Sequence, residues 1–160
     1  MSVTATIASS MPTIETLTDG AISTSNNTVT FNAYDESNAL TSGTTPPITK
    51  CAFFLGTLST GALSINLAAL SGANGATVDG TGLKVQAFRV KNLGANTMTF
   101  TVGASNGYDL AGAGFSVALA QNQWFMFYGN DAAPDIASGD RTLDVAGTGS
   151  QTFECSILMG

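Results

Sequence analysis

Residues 83–105 decide the fold class, and they read Leu-Lys-Val-Gln-Ala-Phe-Arg-Val-Lys, Asn-Leu-Gly-Ala-Asn and Thr-Met-Thr-Phe-Thr-Val-Gly-Ala-Ser. In the last third, Met98, Phe100 and Val102 alternate with polar residues, a period of two that indicates a strand with one buried and one solvated face. Residues 92–96 hold a glycine and two asparagines, which suit a hairpin connection. We therefore expect two antiparallel strands to pair here, with other strands covering their apolar face.

Short alternating segments continue along the chain at a spacing of roughly 8 to 12 residues, which is typical of a sandwich or barrel. No segment has helical spacing over a useful length. The pattern predicts an all-β fold, a jelly-roll-like β-sandwich of about eight antiparallel strands, and a polar connection over residues 35–49. The predicted strands are 28–32, 51–58, 62–67, 83–91, 97–102, 115–120, 123–128, 141–146 and 151–158.

The first 27 residues are rich in Ser and Thr, and their scattered apolar residues show no sustained period. Such a segment has too little contiguous apolar surface to fold on itself. We expect residues 1–27 to form an extended N-terminal arm and residues 28–160 to form the β-sandwich domain. The arm is either a disordered terminus or a segment that orders on a neighbouring subunit. In the second case Ile7, Ile14 and Leu17 are interface residues.

Composition limits the partners. Charged residues make up only 10% of the chain, against about 25% in an ordinary domain, which suggests that other subunits cover much of the surface. The net charge of −6 argues against nucleic acid, since that affinity depends on clustered Lys and Arg. The N-terminus lacks a secretory signal, and no run approaches the roughly 20 apolar residues of a membrane helix. We expect a soluble protein made in the cytoplasm, without a membrane partner.

Catalysis is not expected. The chain has no histidine, which removes the commonest general base, the usual zinc ligand and the Ser-His pairing. The glycines of residues 72–82 match neither the dinucleotide-binding nor the P-loop fingerprint. We predict no catalytic residue, no metal and no cofactor.

The two cysteines, Cys51 and Cys155, lie in phase with apolar neighbours, which are Phe53 and Leu55 in the case of Cys51. We expect both thiols to face the core in the reduced state, since a small apolar side chain suits that place. A disulfide between them is the alternative.

Asp131, Asp135 and Asp140 fall in one glycine-bearing loop. Carboxylate oxygens in such a loop could hold calcium, but their spacing matches no EF-hand. We predict a solvated acidic loop, with a calcium site as the alternative.

The segment Gln-Trp-Phe-Met-Phe-Tyr, which begins at residue 123, is apolar on both faces of the predicted strand. Such a strand needs cover on both sides, from its own core and from a partner subunit. The candidate interface residues are therefore Trp124, Phe125, Phe127 and Tyr128. A carbohydrate platform that also uses Tyr108 is the alternative, because flat rings are over-used at binding surfaces.

Lys84, Arg89 and Lys91 fall on the predicted strand 83–91. They form either a solvated sheet face or a strip that docks on an acidic partner surface. We count Arg89 and Lys91 among the candidate interface residues.

Three parts of the sequence carry a resemblance to a known family. The first part begins with Val78-Asp-Gly-Thr-Gly-Leu-Lys-Val-Gln-Ala and ends with Asn106-Gly-Tyr-Asp-Leu. The second part is Gly129-Asn-Asp-Ala-Ala-Pro-Asp. The third part begins with Thr142-Leu-Asp-Val-Ala-Gly-Thr-Gly-Ser-Gln and ends at Gly160. These parts resemble small virion proteins of tailed bacteriophages that decorate or cement the head. The likeness covers about residues 57–160 and leaves out the arm.

The resemblance implies a jelly-roll homotrimer on the outer capsid surface of the virion, made in the host cytoplasm, which clamps neighbouring major capsid protein subunits. It implies no catalytic residue. Two alternatives stay open. One is another virion component, such as a tail or fibre subunit, and the other is a carbohydrate-binding β-sandwich module.

Overall fold

The structure is a computed structural model that describes residues 2–11, 13–17, 27–31, 35–103, 105, 107–111, 114–129 and 132–160. For residues 13–17 and 27–31 we describe the backbone alone. All strand pairs of the described residues are antiparallel. These residues contain no helix, and so none that could cross a membrane.

The described residues form fourteen strands. In chain order they are β1 (Ala5–Ser9), β2 (Thr13–Leu17), β3 (Asn27–Phe31), β4 (Glu36–Leu40), β5 (Lys50–Thr57), β6 (Ala62–Asn66), β7 (Leu70–Ser71), β8 (Thr77–Val78), β9 (Val85–Asn92), β10 (Met98–Val102), β11 (Phe115–Leu119), β12 (Trp124–Tyr128), β13 (Thr142–Ala146) and β14 (Thr152–Met159).

Eight of these strands build two four-stranded sheets. Sheet I has the order β12-β9-β14-β5, and sheet II has the order β11-β10-β13-β6. The pairing is nested about the β10–β11 connection, because β10 lies beside β11, β9 beside β12, β6 beside β13 and β5 beside β14. The predicted all-β sandwich is confirmed, and each of the eight strands lies within a residue or two of its predicted place.

The core fills the space between the two sheets. Phe88 of sheet I stacks on Phe100 of sheet II with ring centroids 4.6 Å apart. Around this pair lie fully buried side chains from both sheets, such as Ile157 and Leu143. Full burial of one such side chain stabilises the fold by about 1.5–3 kcal/mol. The alternation read from the sequence therefore marks the inner faces of most sandwich strands.

The hairpin predicted between residues 83–91 and 97–102 is wrong, although both strands are present. β9 lies in sheet I and β10 in sheet II, so residues 92–96 cross from one sheet to the other. Phe88 and Phe100 each stand on a strongly apolar face. Crossing between the sheets lets these two faces cover each other, whereas pairing side by side would leave both faces to be covered by other strands.

A buried polar network fixes this crossing. The side chain of Asn92 donates hydrogen bonds to the carbonyls of Asn96, at 2.8 Å, and Leu119, at 2.9 Å. Its carbonyl oxygen accepts from the backbone N–H of Gly94 and from the side-chain amide of Gln151. Asn92 is fully buried, and its four hydrogen bonds replace the water that burial removes.

The described residues before the sandwich form two two-stranded sheets, which are together called the ribbon. β1 pairs with β4, which lies within the polar connection predicted over residues 35–49, and β2 pairs with β3. The predicted boundary between residues 27 and 28 therefore falls inside β3. The strand predicted at residues 28–32 is present, but it belongs to the ribbon and not to either sandwich sheet.

Candidate partner-binding face

The outer face of sheet I is the candidate site. Alternate side chains of its four strands point away from the core, and the strand register sets them side by side. The face is made of Trp124, Met126 and Tyr128 on β12, Ala87, Arg89 and Lys91 on β9, Glu154, Ser156 and Leu158 on β14, and Cys51, Phe53 and Leu55 on β5.

Large apolar side chains stand exposed along both edges of this face. Trp124 is 55% and Tyr128 38% exposed on β12, while Phe53 is 57% and Leu55 71% exposed on β5. Scattered single apolar residues are normal on a surface, but grouped ones mark an interaction site. The two groups flank the polar middle of the sheet, where β9 and β14 carry the charged side chains.

The prediction for β12 divides between its two faces. Trp124 and Tyr128 lie on the outer face, which is where interface residues are expected. Phe125 and Phe127 point inward and pack against the core. The ring centroids of Phe125 and Phe100 are 6.3 Å apart. The structure therefore places two of the four predicted rings on the outer face and assigns the other two to the sandwich interior.

Arg89 interacts with both an acidic and an aromatic side chain of the face. Its guanidinium lies 3.3 Å from the carboxylate of Glu154 and 5.8 Å from the centroid of the Trp124 ring. Lys91 lies on the same face, opposite Trp124 on one side and Glu154 on the other. A cation over an indole ring contributes about 0.5–1 kcal/mol at an exposed site. Arg89 therefore helps to fix the orientation of the exposed indole.

The predicted inner face of β5 is wrong. The residues that were predicted to face the core are exposed, and they form one side of the candidate face. Cys51 is exposed, along with Phe53 and Leu55, while Ala52 and Gly56 are buried. The cause is β14, whose ring of Phe153 occupies the place that a Cβ at Gly56 would need. A glycine in a strand interior often marks such a close approach, and this was the available sequence signal.

The two cysteines do not meet. Cys155 is fully buried and Cys51 is exposed, and both are free thiols. They lie on opposite faces of sheet I, so the predicted buried thiol holds for Cys155 and fails for Cys51. Burial raises the pKa of the Cys155 thiol, which keeps that group protonated and unreactive.

β1 lies over part of the outer face. Val3, Ala5 and Ile7 are half-buried and alternate with exposed residues, and residues 5–8 contribute one wall of a cleft of about 250 Å³. The other wall includes Arg89 and Met126 of sheet I. Ile7, a candidate interface residue, therefore lines a cleft formed within its own chain. Ile14 and Leu17 lie on β2, where the side chains are outside the described part of the structure.

Tyr108 cannot serve as a sugar platform. It is fully buried, its hydroxyl donates to the carbonyl of Pro134 at 2.7 Å, and it accepts a hydrogen bond from the backbone N–H of Val85. Burial raises the pKa of Tyr108 to about 12. The residue ties two loops to the start of β9, and the carbohydrate alternative keeps only Trp124 and Tyr128.

The acidic loop is described in part. Asp135 is exposed, and a carboxylate oxygen of Asp140 accepts a hydrogen bond from the backbone N–H of Asp109 at 3.2 Å. Asp131 lies outside the described residues. Within residues 132–160 and the other described ranges, no group of three or more acidic or cysteine side chains is placed to hold a metal ion.

Comparisons with known proteins give no relative for this chain: no family model, no curated protein and no solved structure matches it.

Proposed function

We propose that the chain is a structural virion protein, a decoration or cement protein that binds the outside of a tailed-phage head. In this role it stabilises contacts between major capsid protein subunits. The observation that carries the proposal is the outer face of sheet I, where Trp124 and Tyr128 stand exposed beside Arg89 and Lys91. Aromatic and Arg side chains are the residues that dominate protein interfaces.

The nested strand pairing adds support. Eight antiparallel strands in two sheets, paired in this order, follow the connectivity of two Greek keys, so we propose that the sandwich is a jelly roll. A sandwich of two hydrogen-bonded four-stranded sheets is a rigid platform for a binding face. The face needs no chemistry of its own, because clamping two coat subunits requires only shape, apolar area and charge complementarity.

Binding to heads tests the proposal. Expanded heads prepared without the protein are mixed with it and sedimented, and we expect the protein to pellet with the heads and to raise their melting temperature. The double variant Trp124→Ala, Tyr128→Ala should lose most of this binding, since an aromatic hot-spot residue contributes about 2 kcal/mol or more. Ala118→Ser, on the outer face of sheet II, is the matched control and should bind normally. Wild-type protein that stays in the supernatant contradicts the proposal.

A carbohydrate-binding module is the second candidate, because two exposed rings, Trp124 and Tyr128, stand on one face of one strand. Flat rings stack on sugars. A glycan array separates the two functions: sugar binding that disappears in the Trp124→Ala variant supports the module. Electron microscopy of particles separates a head protein from a tail or fibre subunit by its position.

A further inference from the structure

The outer face of sheet I is arranged in three rows that cross its four strands. Each row runs from β12 through β9 and β14 to β5, because the strand register sets these side chains opposite one another. The first row is Trp124, Lys91, Glu154 and Leu55. The second row is Met126, Arg89, Ser156 and Phe53, and the third is Tyr128, Ala87, Leu158 and Cys51. Neighbouring strands are about 4.8 Å apart, so a row is about 14 Å long.

β1 lies across the second and third rows. Val3 lines a cleft with Cys51, at the β5 end of the third row. Residues 5–8 line a second cleft with Arg89 and Met126, toward the β12 end of the second row. An extended chain advances about 3.4 Å per residue, so about four residues are enough to cross the sheet. The chain's own β1 therefore shows that an extended segment fits across this face.

The first row is open at both ends. None of its residues lines either of the clefts beside β1. Trp124, at one end, is 55% exposed, and Leu55, at the other end, is 71% exposed. A strip with an exposed apolar side chain at each end has room for a second extended segment beside β1.

The middle of the first row has a surplus of positive charge. Glu154 already binds the guanidinium of Arg89 at 3.3 Å, and Lys91 forms no ion pair with another described residue. Arg89 and Lys91 are two of the five basic residues of the chain, whereas Glu154 is one of its eleven acidic residues. The face is thus locally positive on a chain of net charge −6, and such a patch attracts an acidic group.

This pattern fits an acidic protein segment better than a nucleic acid. Nucleic-acid affinity grows with the number of phosphates that Lys and Arg neutralise, and this face supplies only two cations. In an extended protein segment, side chains i, i+2 and i+4 point to the same side and span about 14 Å. An apolar residue at each end and an acidic residue between them therefore match Trp124, Lys91 and Leu55.

We propose that the first row binds an extended acidic segment of the partner, of the pattern apolar-x-acidic-x-apolar, laid across sheet I beside β1. Its acidic side chain pairs with Lys91, and its apolar side chains pack on Trp124 and Leu55. The identification of this partner as the major capsid protein rests on the proposed function, whereas the chemistry of the segment rests on the first row alone.

Titration with two peptides tests this chemistry. The acidic peptide reads Ser-Leu-Ser-Glu-Ser-Leu-Ser, and the basic peptide has Lys in place of Glu. Trp124 is the only tryptophan of the chain, so its fluorescence reports binding at the first row. We expect the acidic peptide to shift the emission, with an affinity that falls as salt is added. The basic peptide should bind more weakly, although the net charge of the chain favours it.

No response to the acidic peptide overturns the proposal, and so does an equal or stronger response to the basic peptide.

Charge variants locate the contact. Lys91→Glu should weaken binding of the acidic peptide several-fold and reverse the preference between the two peptides, a reversal that a merely destabilised protein would not show. Arg141→Glu changes the net charge equally at an exposed position outside the face, so it is the matched control and should keep the wild-type preference. Leu55→Ser should weaken both peptides, because it removes one apolar end. Equal effects of Lys91→Glu and Arg141→Glu overturn the proposal.

Sedimentation with heads separates this inference from the proposed function. Protein that binds the acidic peptide but stays in the supernatant overturns the proposed function alone. Protein that pellets with the heads but prefers the basic peptide overturns this inference alone.

Discussion

Tyr108 shows how one side chain can join distant parts of a β-sandwich. Its hydroxyl group bridges the carbonyl of Pro134 and the N–H of Val85, which lie 49 residues apart. Both partners are backbone groups, so they are present whatever their own side chains are. The hydroxyl therefore satisfies two polar groups that the sheet ladders leave unpaired, which is why a phenol and not a phenyl ring suits this position.

Replacing Tyr108 by Phe should lower the free energy of unfolding by about 1–3 kcal/mol for each buried backbone group left unsatisfied. Denaturant titration monitored by fluorescence or circular dichroism measures the change. Tyr128→Phe, on the exposed outer face, should change stability little. Equal stability of wild type and Tyr108→Phe would show that the two hydrogen bonds make no net contribution.

The same residue predicts a dependence of stability on alkaline pH. The pKa of Tyr108 is raised from 10.0 to about 12 in the folded chain, so the folded state keeps a proton that the unfolded state loses. This contribution is complete below pH 10 and is lost as the pH rises toward 12. Unfolding free energies measured over this range should fall more steeply for the wild type than for Tyr108→Phe. Parallel slopes would contradict the assignment.

Which strands pair depends on the connections between strands as much as on the strands themselves. β9 and β10 are the two strands most easily recognised in the sequence, yet they lie in different sheets because residues 92–96 turn the chain across the sandwich. Asn92 and Gln151, which are 59 residues apart in the sequence, hold that turn together. Because Gln151 comes directly before β14, the same contact also sets where β14 begins beside β9.

Asn92→Ala should therefore destabilise the crossing. The change removes the Asn92 partner of the Leu119 carbonyl and of the Gly94 N–H, whereas the carbonyl of Asn96 and the amide of Gln151 still bond to each other. Each group that stays buried without a partner costs about 1–3 kcal/mol. Asn96→Ala is the matched control, because Asn96 contributes only its backbone carbonyl. Thermal unfolding should show a clear drop in melting temperature for the first variant and little change for the second. Similar drops in both would contradict this account.

The described strands divide into the sandwich, with the short β7–β8 pair packed on its core, and the ribbon. Every residue of the main core cluster lies at or beyond Ala52, whereas the ribbon strands β1 to β4 all end by Leu40. β1 covers part of the outer face of sheet I, but the clefts along it show that this cover is incomplete. The sandwich has its own core, and the ribbon is an addition to it.

The fragment 41–160 should consequently fold without the ribbon. We expect a circular dichroism spectrum of antiparallel strands and a single cooperative thermal transition, at a lower temperature than in the full chain because Leu40 and the cover supplied by β1 are lost. A fragment without a cooperative transition would show that the ribbon is part of the folding unit.

Part of the outer face was readable from the sequence. Trp124 and Tyr128 share a phase on β12, and Arg89 and Lys91 share one on β9, so the exposed half of the prediction follows from a period of two. The register between β9 and β12 then places these four residues side by side. No local sequence pattern predicts that register. Phe53 and Leu55 are predicted to face the core, yet they lie on the outer face. An apolar alternation shows that the two faces of a strand differ, but it does not show which face is buried.

By itself the sequence determined where the sandwich strands lie and that they form no helices, because alternation and turn residues act over a few neighbouring positions. The tertiary structure alone decided which strands pair, which face of β5 is buried, and that residues 36–40 form a strand. Those choices depend on contacts between distant segments, such as the Phe153 ring against Gly56 and the amide of Gln151 against Asn92. A face becomes inner or outer only when another sheet packs against it.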